Sequence, residues 1–157
     1  MTSNLAYTIF YNKLDNLTVK GNPAIKGSPL GVLTFNTQIS KPFYGEISNS
    51  SFRVTANSNF GPIPYIIEGK FNSLDNSQTN VSFDVVKTFG HTWFKAFIGL
   101  LIILAIVMSI VQPVSYFESL FAVIVMLSMS LLGMWLLNQM KKSFIKKFCR
   151  ILELVDN

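Results

Sequence analysis

With 157 residues, half of them apolar, and a formal net charge of +5, the chain has room for one modest soluble module and little else. Its single cysteine, Cys149, excludes an intramolecular disulfide and agrees with a reducing compartment. Before residue 90, seven Lys and Arg stand against five Asp and Glu, too small an excess to make a nucleic-acid polymer the expected partner.

Met1 to Tyr7 shows no basic segment ahead of a continuous apolar core, so the start does not read as a secretory signal. Residues 1–90 read as a β-rich module. Period-two alternation, β-branched and aromatic residues and frequent turn residues mark six strands: Leu5 to Tyr11, Leu30 to Asn36, Phe43 to Ile47, Phe52 to Ala56, Ile63 to Phe71 and Thr79 to Lys87. Ser48 to Ser51 suits a hairpin turn between the third and fourth. Pro64 within the fifth implies an edge strand or a bulge, because proline removes a ladder donor. The expected module is a small antiparallel meander or open barrel. Tyr7, Phe43, Tyr44, Phe60 and Tyr65 are its aromatic candidates for a pocket or contact surface, although core packing is the favoured reading of each taken singly.

Residues 93–138 change character. Two apolar runs, about 93–111 and 117–137, are separated by a short polar turn, and Glu118 is the one carboxylate among them. The first run, extended by Trp93 and Phe94, comes to the roughly 20 residues that a bilayer core requires and the second is comfortably long enough, and too little chain surrounds them to bury both in a soluble fold. A two-helix transmembrane hairpin is therefore expected, with Glu118 as an interfacial helix cap. Ser130, Gly133 and Leu137 have a spacing that suits close helix approach, within the hairpin or between copies of a homo-oligomer.

Residues 139–157 carry Phe144, Phe148, Ile151, Leu152 and Val155 at helical spacing. The basic residues Lys141, Lys142, Lys146, Lys147 and Arg150 fall largely elsewhere, which predicts a basic amphipathic helix in contact with anionic lipid headgroups. The competing reading packs its apolar stripe on the β module or on a second copy. Lys87 and Lys95 precede the hairpin, these five basic residues follow it, and none lies between. The positive-inside rule then predicts a two-pass inner (plasma) membrane protein with both termini cytoplasmic.

No catalytic constellation stands out. One histidine and one cysteine in separate segments do not make a metal site or an activated nucleophile. His91 reads as an interfacial anchor or helix-start residue and Cys149 as a small packing or lipid-facing one. Glycines form no phosphate-cradling array, and Glu46, Glu68, Asp75 and Asp84 are scattered without paired spacing, so neither a cofactor nor a metal is expected.

Phe43-x-Gly45-x-Ile47, Phe52-x-Val54, Pro64-x-Ile66-x-x-Gly69-x-Phe71 and Val81-x-Phe83-x-Val85, followed by the hairpin, resemble a group of small uncharacterised bacterial membrane proteins with the same order of segments. The likeness covers about residues 43–111 and implies an architecture and an inner-membrane setting, without an activity. A looser architectural likeness is to two-helix effectors of nucleotide-signalled antiphage defence, in which the helices precede the sheet. The expected function is a non-enzymatic, membrane-anchored β module that binds a small-molecule ligand or a membrane or cytoplasmic protein partner. The alternative is a membrane-perturbing effector triggered by ligand binding or oligomerisation.

Overall fold

The computed structural model describes residues 1–28, 40–58, 63–74, 77–111 and 116–155. The chain is α+β and divides into two compact units, one of residues 1–91 with 143–157 and the other of residues 92–142. The predicted strand Leu30 to Asn36 and the aromatic candidate Phe60 lie outside the described residues.

The first unit is built on a seven-stranded mixed sheet. Its strands are β1 (Thr2–Ser3), β2 (Thr18–Lys20), β3 (Phe43–Ile47), β4 (Ser51–Ala56), β5 (Tyr65–Ser73), β6 (Thr79–Lys87) and β7 (Leu154–Val155), in the spatial order β2-β3-β4-β5-β6-β1-β7. The meander expected from the alternating pattern is present as β3 to β6, all antiparallel. The Ser48 amide donates to the Ser51 carbonyl at 2.8 Å and closes the first hairpin. Pro64 is not in an edge strand: β5 begins one residue later and lies between β4 and β6. Outside the ladder, the proline has no donor to lose, and its carbonyl accepts from the Thr88 amide at 3.0 Å.

Two expectations fail at the start of the module. Leu5 to Tyr11 is not a strand; Tyr7–Asn16 is helix α1. Phe10 and Leu14, four residues apart, are its buried positions, and that one-turn spacing prevails over the β preference of the aromatic residues around them. The sheet is also mixed rather than wholly antiparallel, since β2 runs parallel to β3, Thr18 opposite Phe43. A short helix, α2 (Pro23–Lys26), follows, capped by the Asn22 side chain, which accepts from the Ala24 amide at 2.9 Å.

Helix α3 covers Phe89–Val111 and helix α4 covers Tyr116–Ile151. The separate tail helix expected from residue 139 is instead the end of α4, because the residues from Asn138 to Ser143 include neither glycine nor proline to interrupt it. Its apolar stripe is not free to lie in lipid. Phe144, Phe148 and Leu152 are buried with Phe10, Leu14, Phe43, Phe52, Val54, Ile67, Phe71 and Val81 in one core on the inner face of the sheet.

Phe148 is the centre of that core, with its ring stacked on Phe52 at 5.5 Å and edge-on to Phe43 at 5.6 Å and to Phe83 at 5.5 Å. Two glycines permit close approach, Gly69 to the Phe52 ring and to backbone and Gly45 to the backbone of the neighbouring strand. A Cβ on Gly69 would lie 2.6 Å from Phe52 Cζ and 2.5 Å from the Ser82 carbonyl oxygen, and one on Gly45 would lie 2.0 Å from the Arg53 carbonyl oxygen. The chain ends close the unit. At Glu153, α4 stops with φ of 54°, and β7 then pairs with β1. Ser3 Oγ donates to the Leu152 carbonyl at 2.7 Å, and Lys13 Nζ meets Glu153 Oε1 at 2.8 Å.

Among its described residues the second unit has few buried side chains. Gly133 faces Phe94 and Ile98, with a virtual Cβ 3.1 Å from Phe94 Cε1, while Ile102 lines one groove with Met126. Later residues of α3 thus meet earlier residues of α4, and the two helices run antiparallel.

Candidate functional site

Two surfaces are left after the core is filled. The first is the apolar exterior of the second unit. Among the described residues, Val123–Ile151 is the one helical stretch long and apolar enough to cross a membrane, and the corresponding part of α3, Phe89–Leu104, is shorter. Leu100, Ile103, Phe121, Met129 and Leu131 are each at least 60% exposed, an arrangement a soluble fold avoids. Trp93 on α3 and Trp135 on α4 are both exposed and lie toward the end at which Phe94 meets Gly133. Lys95 and Lys142 are exposed at that end and Lys141 is half-buried. Glu118 falls within α4, where its side chain is not among those described.

The second surface is the outer face of the sheet. Strand register aligns Glu46, Arg53, Glu68 and Asp84 in one row across β3 to β6, so three carboxylates that looked scattered in the sequence are neighbours. Arg53 Nε donates to Glu68 Oε1 at 2.8 Å. On its other flank Glu68 is directly opposite Asp84, a like-charge pair that is unfavourable across strands. Ser51, Arg53, Glu68, Lys70, Ser82 and Asp84 line an open depression of about 580 Å³ there. Among the described residues, no three His, Cys, Asp or Glu side chains converge as a metal site would require.

At one end this outer face is covered by α2, and Lys26 is completely enclosed. Its Nζ donates to the Ser58 carbonyl at 3.1 Å and stands 5.4 Å from the Tyr44 ring centroid, a cation–π contact. Burial pushes its pKa below the ordinary lysine value. Nothing in the sequence marks Lys26; only the folding of α2 over β3 and β4 encloses it. On the inner side, the Tyr65 hydroxyl lies 3.5 Å from His91 Nδ1, and burial raises the phenol pKa. His91 is buried in the first turn of α3, so it begins a helix, as one reading had it, but packs against protein rather than anchoring in an interface.

The four aromatic candidates among the described residues lie in different places. Phe43 is closed in the core; Tyr7 packs its ring 5.5 Å from Phe71 while its hydroxyl donates to the Asn49 carbonyl. Tyr44 is on the outer face beneath Lys26, and Tyr65 is buried beside His91. Lys146, Lys147 and Arg150 are exposed on the helix that brings Phe148 into the core, and Cys149 beside them is half-buried. Comparison with protein-family models, curated proteins and solved structures finds no match to this chain.

Proposed function

We propose that the chain is a non-enzymatic membrane-anchored binding module. In this reading α3 and α4 cross the bilayer as a hairpin, and the outer face of the sheet meets a ligand or protein partner in the cytoplasm. The observation that carries it is the exposed apolar exterior of the second unit, where Leu100, Ile103, Leu104, Phe121, Leu127, Met129 and Leu131 are all more than half exposed. The parts of α3 and α4 that belong to the second unit, residues 92–111 and 116–142, reach about 30 Å and 40 Å at 1.5 Å per residue, against a hydrocarbon core of about 30 Å.

Two crossings rather than one are supported by connectivity. Residues before the apolar unit and residues after it share one core and one sheet: Phe148 packs on Phe43 and Phe52, and β7 pairs with β1. A chain that crossed once would leave these two halves on opposite sides of the bilayer. The basic flanks then favour the cytoplasmic side for both. A partner at the outer face is supported by a surface that holds Glu46, Arg53, Lys70, Ser82 and Asp84 toward solvent while α1 and α4 occupy the other face.

The test is reconstitution of the full chain, tagged at either end, into sealed vesicles. Resistance to carbonate extraction and equal protease access to both tags are expected. Extraction by carbonate, or tags on opposite sides, would overturn the reading. The effector alternative draws on α4 being one helix from Tyr116 to Ile151, which carries both the apolar exterior and Phe148. Collapse of membrane potential on expression with a partner or ligand would favour it.

A further inference from the structure

An apolar groove of about 240 Å³ runs between α3 and α4, lined by Phe94, Ile98, Leu101, Ile102, Met126 and Met129 with Ser130. Ser130, its one polar wall, already donates its hydroxyl to the Met126 carbonyl of its own helix at 2.9 Å. From Phe94 to Ile102 the groove extends about 12 Å at 1.5 Å per residue, close to the depth of one leaflet of a core about 30 Å thick.

The ends of the groove differ in charge. Lys95 follows Phe94, and Lys141 is two turns beyond Gly133, which touches Phe94, so both lie toward the Phe94 end. The unit's third cation, Lys142, is there too, with Trp93 and Trp135 exposed in the manner of an interfacial belt. The one carboxylate in residues 92–142, Glu118, belongs to the first turn of α4 and hence to the opposite end by sequence.

We propose that this groove binds one acyl chain of an anionic phospholipid, with the headgroup phosphate held at the Lys95 and Lys141 end. The assignment rests on the membrane reading above and adds a site to it. Charge selects this occupant over a second copy. Two copies inserted in the same direction would set lysines against lysines at the Phe94 end, whereas a phosphate there neutralises them. An acyl chain is also the one apolar group that reaches such a groove from every side in a bilayer.

Trp93 and Trp135 are the chain's two tryptophans, and both are exposed toward the Phe94 end of the groove, where they report on nearby lipid. The full chain is reconstituted in phosphatidylcholine vesicles containing a minor fraction of acyl-brominated phosphatidylglycerol, and in matched vesicles in which phosphatidylcholine carries the bromine. Preferential quenching by phosphatidylglycerol is expected, on the scale of about fivefold enrichment per lysine. Lys95→Gln with Lys141→Gln should abolish the preference, and so should Ser130→Phe, which fills the groove and keeps both lysines. Equal quenching by both lipids in the native chain would overturn the proposal. So would a preference that survives Ser130→Phe, which would place the selectivity at the surface, or a disulfide between copies through Ile102→Cys in a Cys149→Ser background. Flotation of the same vesicles separates the two readings: a chain that floats without lipid preference sinks the groove alone, and one that does not float sinks both.

Discussion

Phe148 and Leu127 stand on the same helix, α4, and have opposite surroundings. Phe148 is fully enclosed by three aromatic neighbours, whereas Leu127 is half exposed. The first unit obeys the rules of a water-soluble core, with apolar residues gathered on one face of a sheet. The second is apolar on the outside, the arrangement stable where the solvent itself is hydrocarbon. One helix serves both because its backbone hydrogen bonds are internal and indifferent to what surrounds it.

That contrast should break most sharply at Phe148. Phe148→Ala should destabilise the first unit by about 3–5 kcal/mol, the usual range for a buried phenylalanine, read as a lower denaturant midpoint in detergent. Leu127→Ala should leave the same midpoint within about 0.5 kcal/mol. Leu127→Arg should reverse the order of sensitivity: the soluble unit melts as before, while insertion is penalised by about 2.5–3.5 kcal/mol and the carbonate-resistant fraction falls.

A smaller effect tests the sheet. Gly69→Ala should cost about 1–3 kcal/mol, because the added methyl meets the Ser82 carbonyl oxygen and the Phe52 ring. Arg53→Ala should cost less than about 1 kcal/mol, since both partners of its ion pair are substantially exposed, and the loss should shrink as salt is raised. Lys26 adds a pH dependence. Its folded pKa lies below 10.5, so between that lowered value and 10.5 the unfolded chain binds more protons, and stability rises with pH. Above 10.0 the raised Tyr65 works in the opposite sense, because the folded state keeps the phenol proton longer and loses stability as pH rises. Denaturation midpoints across alkaline pH should therefore lose their rising limb in Lys26→Met and keep the fall due to Tyr65.

The four strands β3 to β6 were legible because alternation over five to nine residues leaves one face apolar, a pattern no helix shares. Helix α1 was hidden by its aromatic residues, which favour strands in isolation and become helical only when Phe10 and Leu14 have Phe71 and its neighbours to cover. Strands β1, β2 and β7, two or three residues each, are too short to carry a period and exist because existing edges offer them partners. The acidic row on the outer face is likewise a product of register, since Glu46, Glu68 and Asp84 are far apart in the chain and adjacent only across paired strands.

By itself the sequence determined which stretches are apolar, where the charges flank them, and that the tail would be an amphipathic helix, because these depend on local composition and period. Only the tertiary structure decided the partner of that tail. Its stripe of Phe144, Phe148 and Leu152 was compatible with lipid or with protein, and the rings of Phe43, Phe52 and Phe83 on the inner face of the sheet supplied the surface it packs on. A helix face specifies that it must be covered, while what covers it depends on which complementary surface the rest of the chain supplies.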